Sequence, residues 1–164
     1  MIPRYRYAET LEKKIKKYCN KFGINNVFCS DSFVYYPKSK TVYFTVYRYV
    51  NDENLIEFIN KKYNVDISDS FFIFSLLHEI GHHKTMHKLT KIDIDYEMSV
   101  NNFLSFCDED EKTKNLIHFN LPAEDLADRW AIDYIKNNLD ECWNFQQKCL
   151  KIIEHIYNKK CFTY

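Results

Sequence analysis

A chain of 164 residues with 46 % hydrophobic residues and a net charge of zero is long and apolar enough to bury a core, which predicts a single globular domain over 1–164. Its 23 basic and 23 acidic residues are interspersed, so we expect no direct binding to nucleic acid. Gly23 and Gly81 are the only glycines, which excludes a glycine-rich phosphate loop.

Targeting signals are not evident in the sequence. The N-terminus has no apolar stretch of signal-peptide length, and no run approaches the roughly 18 apolar residues of a membrane span. We therefore expect a cytoplasmic protein with no membrane partner. Six cysteines occur without a CxxC pair, which argues against a zinc ribbon and favours reduced, mostly buried thiols.

The first third of the chain predicts a helix followed by a small sheet. Apolar residues recur at helical spacing over 9–22, and Gly23 stands where a C-terminal glycine belongs. Alternating apolar residues then predict strands at 27–29, 33–36 and 41–50. We expect these strands to form a mostly antiparallel sheet.

Helices dominate the rest of the chain. A short helix is predicted over 55–63, and a second helix, which Ser68 or Asp69 can cap, is apolar on nearly all sides over 71–80. That pattern is typical of a helix buried in the middle of a domain. Further helices are predicted over 96–107, 122–138 and 142–156, with an acidic turn or helix start at 108–111. The fold class is therefore α+β.

The buried helix ends in His78-Glu79-Ile80-Gly81-His82, an HExxH pattern. Residues four apart on a helix differ by about 40° around its axis, so His78 and His82 face the same way and can bind one Zn²⁺ ion. Glu79 lies about 100° further round, where it can act as a base on water beside the metal rather than as a ligand.

Two other histidines follow the motif without completing it. His83 is turned about 100° from His82, and His87 about 180° from His78, so neither can join them from the same helix. We expect both side chains to be solvated or to cap the helix. Gly81, in a helix interior, indicates close approach of another backbone or simple tolerance of glycine near the helix end.

The third ligand must come from elsewhere in the chain. A metzincin would carry a histidine at position 88 and a glycine at position 85, where this chain has Lys88 and Thr85. None of the six cysteines has the glycine-containing strand context of a peptide deformylase. A glutamate from a later helix is left as the candidate.

The segment 124–131 offers such a glutamate. Glu124 and Asp128 lie one turn apart, so Glu124 can ligate the metal while Asp128 accepts the free N–H of a ligating histidine. Ala127 and Ala131 are small enough to let this helix approach the HExxH helix closely. The alternative is an ordinary amphipathic helix with acidic residues in its favoured first turn.

HEIGH at 78–82 together with ExxAD at 124–128 resembles the ImmA/IrrE family of small bacterial and phage zinc metallopeptidases. The resemblance covers roughly residues 70 to 135. It implies a zincin-like fold, in which an N-terminal helix and a small sheet pack on the HExxH helix ahead of C-terminal helices. It also implies His78, His82 and Glu124 as zinc ligands, Glu79 as the general base, and Asp128 as the partner of a ligand histidine.

Two functions are consistent with these motifs. The first is a zinc metalloendopeptidase that hydrolyses a protein or peptide, and the resemblance suggests a repressor or an antitoxin-like regulator as the target. In zincins a substrate strand usually adds to a sheet edge, which makes 41–50 the candidate docking strand. His118 and several tyrosines are candidates for stabilising the oxyanion. The second is a noncatalytic interaction or regulatory protein with a zincin fold, although a structural zinc site has no need of a base such as Glu79.

Overall fold

The buried HExxH helix lies at the centre of the fold. The computed structural model describes residues 6–45 and 53–160, with side chains over 8–45 and 53–158. Within these ranges the elements are α1 (Arg6–Cys19), β1 (Asn26–Ser30), β2 (Val34–Tyr36), β3 (Thr41–Thr45), α2 (Glu53–Tyr63), α3 (Phe71–Thr85), α4 (Lys91–Phe106), α5 (Glu111–His118), α6 (Pro122–Asn137) and α7 (Leu139–Lys160). The α+β class is confirmed.

Helix α3 carries the HExxH motif and contacts more of the fold than any other described helix. Eight of its 15 residues are buried, as its all-round apolar sequence predicted. It packs most extensively on α6 and also contacts α7, β2 and β3, while α1 lies against β1 and α7. The apolar core is thus continuous from α1 through the sheet to α3 and α7.

The start of α3 is capped from a distant part of the chain. No side chain at its own N-terminus caps it, so the predicted roles of Ser68 and Asp69 are wrong. Instead, the buried Gln146 of α7 accepts the Ile73 N–H at 3.0 Å and donates to the Asp69 carbonyl oxygen at 2.7 Å. One amide side chain thereby satisfies two backbone groups at this helix end.

The sheet is mixed, with strand order β1-β3-β2. Strand β2 pairs with β3 in antiparallel fashion, but β1 pairs with β3 in parallel over five residues, so the expectation of a mostly antiparallel sheet is wrong. The reason is the strand order: β2 and β3 form an antiparallel hairpin, and β1 pairs with the other edge of β3 instead of with β2, its neighbour in sequence.

This strand order also corrects the predicted substrate strand. Residues Thr41–Thr45 are hydrogen-bonded to neighbours on both sides and offer no free edge, while 46–50 lie outside the described residues. Among the described strands, β1 and β2 lie at the edges of the sheet, and the edge of β1 is approached by α1, where Glu12 accepts the Cys29 N–H at 2.8 Å. Strand β2 contacts α3, and Ser32 and Phe33 just before it line the cavity beside His78.

No described helix is long and apolar enough to cross a membrane. Of the cysteines, Cys19, Cys142 and Cys149 are buried free thiols, whereas Cys29 and Cys107 are partly exposed. Burial raises the pKa of Cys19 and of Cys149 to about 12, which keeps both as unreactive neutral thiols. Cys161 lies outside the described residues.

Candidate metal centre

The two motif histidines point their Nε2 atoms at one place. His78 and His82 lie one turn apart on α3, and their Nε2 atoms are 3.1 Å from each other. Their side chains are partly buried, with 16 % and 19 % of the surface exposed, so solvent reaches the site from one side. The shared face follows from the four-residue spacing of the motif.

Glu124 of α6 completes a cluster with these histidines. Its Oε2 atom lies 3.0 Å from His78 Nε2, and its Oε1 atom lies 3.5 Å from His82 Nε2. In the described part of the chain, these three residues form the one group of His, Cys, Asp or Glu side chains arranged to hold a metal ion. The structure therefore brings together the three residues that the sequence indicated as ligands.

Close packing of α3 against α6 places Glu124 there. A methyl group on Gly81 would lie 2.7 Å from the carbonyl oxygen of Ala127 and 2.9 Å from its Cα atom. Ala127 and Ala131 are both fully buried at this contact. The two helices can approach this closely only because position 81 has no side chain.

Gly81→Ala is therefore expected to destabilise the protein by about 1–3 kcal/mol through overpacking against the Ala127 backbone. In a helix interior with open space around the glycine, the same substitution stabilises the protein by up to about 1 kcal/mol. The sign of the change in the free energy of unfolding therefore shows whether α6 lies against position 81. Urea unfolding followed by circular dichroism measures it. A variant as stable as the wild type, or more stable, would show that α3 and α6 are not in contact at this point.

Asp128 holds the orientation of His78. Its Oδ1 atom lies 2.8 Å from His78 Nδ1, and its side chain is only 4 % exposed. The other carboxylate oxygen, Oδ2, accepts a hydrogen bond from the Tyr63 hydroxyl at 3.1 Å, and the same hydroxyl is 2.9 Å from Asp125. With its Nδ1 atom directed at Asp128, His78 turns its Nε2 atom towards His82 and Glu124, where that atom could bind a metal.

Tyr63 was missed as a site residue. In the sequence, Tyr63 falls on the apolar face of the helix predicted over 55–63 and is therefore taken as a core residue. The helical spacing of apolar residues does not indicate that its hydroxyl reaches α6. Asp125 is held by Lys62 and Arg129 as well as by Tyr63, and these hydrogen bonds outweigh its burial and lower its pKa to about 2. The carboxylates next to Glu124 thus have their own partners.

Asp128→Ala is expected to weaken metal binding by about 10–100-fold, because His78 then loses the acceptor that orients its ring. Asp128→Asn keeps an acceptor oxygen and should recover most of the affinity. Titration of each purified variant with Zn²⁺ against a chromophoric chelator measures both effects. Equal affinities for Asp128→Ala and the wild type would show that this contact does not orient the ligand.

Glu79 is buried beside the cluster without belonging to it. Only 8 % of its surface is exposed, and its carboxylate accepts a hydrogen bond from the Tyr35 backbone N–H. Burial raises its pKa, against the opposing effect of His78 and His82. This carboxylate therefore has the position and the basicity of a proton acceptor next to the cluster.

The electrostatics of the cluster favour a positive charge among its members. Burial alone would lower the pKa of His78, but hydrogen bonds to Asp128 and Glu124 raise it well above its ordinary value. Burial likewise opposes ionisation of Glu124, yet hydrogen bonds from His118, His78 and His82 lower its pKa strongly. A bound cation satisfies the same carboxylates.

The remaining histidines have different surroundings. His118 lies at the rim, with Nε2 3.4 Å from Glu124 Oε1, and its oxyanion role stays a prediction. His87 is exposed, as expected, but His83 is partly buried and its Nδ1 atom is 2.7 Å from the Tyr35 hydroxyl. The expectation of a solvated or capping role is therefore wrong for His83, which links α3 to the sheet.

A mostly apolar cavity of about 280 Å³ opens beside the cluster. Aromatic and aliphatic side chains from four parts of the chain line it, namely Phe33, Leu55, Phe71, Phe74 and Phe119, together with His78, Glu79, His118 and Glu124. A second groove of about 410 Å³ between α2 and α5 shares Leu55 and Phe119 with it. A large apolar group can thus lie next to Glu79.

Comparison of the chain with protein-family models, with curated proteins and with solved structures gives no match. The function is therefore inferred from the site itself.

Proposed function

We propose that this protein is a zinc metallopeptidase of the ImmA/IrrE type, with His78, His82 and Glu124 as metal ligands. The observation that carries the proposal is the geometry of the three ligand residues. Tetrahedral Zn²⁺ with bonds of about 2.0–2.1 Å separates its ligand atoms by about 3.3 Å. The two imidazole Nε2 atoms are 3.1 Å apart, close to that value, and the Glu124 carboxylate faces both of them, with Oε2 3.0 Å from His78 Nε2 and Oε1 3.5 Å from His82 Nε2.

Two nitrogen ligands and one carboxylate favour zinc among the common metals, and three protein ligands leave a fourth position open, as in catalytic sites. When bound, Zn²⁺ supplies the Lewis acidity that lowers the pKa of water towards about 7 and polarises a carbonyl group. A structural site would be closed by a fourth protein ligand, and among the described residues no fourth joins this group.

The chain's own residues account for the proton transfers. Glu79 lies next to His78 in the wall of the cavity, where it accepts a proton from the attacking water and returns it to the leaving amine. The Tyr35 N–H keeps this carboxylate directed towards the cavity from the sheet side. Asp128 and Tyr63 hold His78 in one orientation throughout.

The cavity suggests which peptide bonds are cleaved. Its lining is dominated by phenylalanine, and its volume suits a large apolar side chain beside the scissile bond. The adjoining groove between α2 and α5 extends this surface along a bound chain and adds Lys61, Lys112 and Glu57. A repressor or antitoxin-like regulator with an accessible apolar segment is the kind of substrate that this arrangement favours.

A library of unstructured synthetic peptides tests the activity. The zinc-loaded protein is expected to cleave a subset, and mass spectrometry of the new termini should show Phe, Tyr, Leu or Met next to most cleaved bonds. Treatment with a chelator should stop cleavage, and added Zn²⁺ should restore it. Cleavage that persists without metal would exclude this mechanism, and cleavage next to small or charged residues would exclude the assignment of the cavity.

A further inference from the structure

Helix α4 displays large apolar side chains to solvent along its whole length. None of its 16 residues is buried. The α4 stripe consists of four of these residues, Ile92, Tyr96, Phe103 and Phe106. Their exposed fractions are 80, 55, 57 and 88 %. Soluble proteins rarely leave so much contiguous apolar surface uncovered unless it binds a partner.

The spacing of the α4 stripe indicates the shape of that partner. Including Ser99 at its middle, the positions 92, 96, 99, 103 and 106 follow one another at intervals of four, three, four and three residues. Apolar residues repeating every 3.5 residues form a straight seam that packs against a second helix. On the side of α4 away from the stripe, Glu97 accepts the Ala123 N–H at 2.6 Å and ties the helix to α6, while Ile94 and Met98 on that side remain 45 and 61 % exposed.

The charge around the α4 stripe indicates the chemistry of the partner. Between residues 91 and 111 there are seven acidic residues and a single basic one, Lys91, in a chain whose total charge is zero. Asp95 adjoins the stripe on the helix, and the four acidic residues 108–111 follow its C-terminal end, all of them exposed. A basic partner would be attracted to these flanks.

We propose that α4 is a docking site for an amphipathic, basic helix of another protein. Apolar residues of that helix at the same four-and-three spacing pack on the α4 stripe, and its lysines or arginines face Asp95 and the acidic residues 108–111. Self-pairing of two α4 helices is disfavoured, because it would bring these like charges together. Anionic membrane surfaces would repel them for the same reason.

Docking on α4 would hold the partner beside the metal centre. The hydrogen bond from Ala123 to Glu97 ties α4 to the residue preceding Glu124, and α4 leads through α5 to His118 and Phe119 in the cavity wall. The docking proposal does not depend on peptidase activity. It is therefore tested by binding alone, in the Glu79→Gln background to prevent cleavage of the probe.

The probe is a fluorescent 21-residue peptide of three heptads. Each heptad carries leucine at the two positions that would pack on the α4 stripe and lysine at the positions on either side of them. A second peptide carries glutamate on the flanks. By fluorescence anisotropy, the lysine peptide is expected to bind at least about tenfold more tightly than the glutamate peptide. Phe103→Asn, at an exposed position that leaves the charge unchanged, should weaken binding about tenfold or more.

The matched control is Leu139→Asn, which removes a comparably exposed apolar side chain, 62 % exposed, from α7. It should leave binding unchanged, and circular dichroism verifies that both variants are folded. Equal loss in both variants, or no loss in Phe103→Asn, would overturn the proposal. A concentration-dependent dimer in sedimentation experiments that Phe103→Asn abolishes would overturn it too, because the occupant would then be a second copy of the chain.

Discussion

Glu79→Gln is expected to bind zinc as the wild type does and to lower peptide hydrolysis by at least about 10²–10⁴-fold. Glutamine has nearly the same shape, but its amide cannot accept the proton of the attacking water. Zinc binding is retained because Glu79 lies outside the group formed by His78, His82 and Glu124. Loss of activity without loss of metal is the result that separates a catalytic carboxylate from a ligand.

Metal content by mass spectrometry and cleavage of a peptide selected from the library measure the two effects on the same sample. Glu154→Gln is the matched control, because Glu154 is exposed on α7. It should retain both properties. If Glu79→Gln cleaved as fast as the wild type, the base would be another group. If neither protein cleaved any peptide while both bound zinc, the noncatalytic interpretation would be favoured.

Glu124→Ala is expected to reduce zinc affinity by more than about 100-fold, beyond the effect of a residue that merely orients a ligand. The substitution removes one of three ligands and leaves His78 and His82 with only a two-residue site. The residue is partly exposed, with 13 % of its side chain accessible, so the truncated position can be filled by water and the fold should persist.

Competition with a chromophoric chelator gives the affinity, and circular dichroism verifies the fold. Glu154→Ala, an exposed glutamate changed in the same way, should bind zinc like the wild type. Unchanged affinity in Glu124→Ala would place the third ligand elsewhere and would remove the main support for the proposed function. Glu124→Ala and Glu79→Gln are thus expected to differ in metal content although both lose activity.

The helical elements were largely predictable because their signals are local. Apolar spacing indicated α1, α2, α3, α6 and α7 within a few residues of their observed ends, and Gly23 ends the first helical segment in the left-handed conformation, with φ of 87°. Over 84–120 the pattern was weak, and none of the residues of α4 and α5 is buried. There α4 is longer than expected, and its exposed stripe could not be separated from a core face by sequence alone.

Contacts between residues that are distant in the chain could not be predicted from local sequence patterns. The parallel pairing of β1 with β3 joins two strands that are separated in the chain by β2. Similarly, the cap that Gln146 provides to α3 joins residues 73 positions apart in the chain. In each case the sequence offers several partners of equal quality, and only the packing of the whole chain selects one.

The candidate metal centre divides in the same way. The sequence by itself determined that His78 and His82 share a face and that Glu79 does not, because the geometry of one helix fixes those directions. For Glu124 and Asp128 the sequence left two interpretations open: a metal ligand with its hydrogen-bond partner, or ordinary acidic residues at the start of an amphipathic helix. The tertiary structure decided their positions, because the missing side chain of Gly81 lets α6 approach α3, and it added Tyr63, whose hydroxyl meets Asp128 only after α2 has packed.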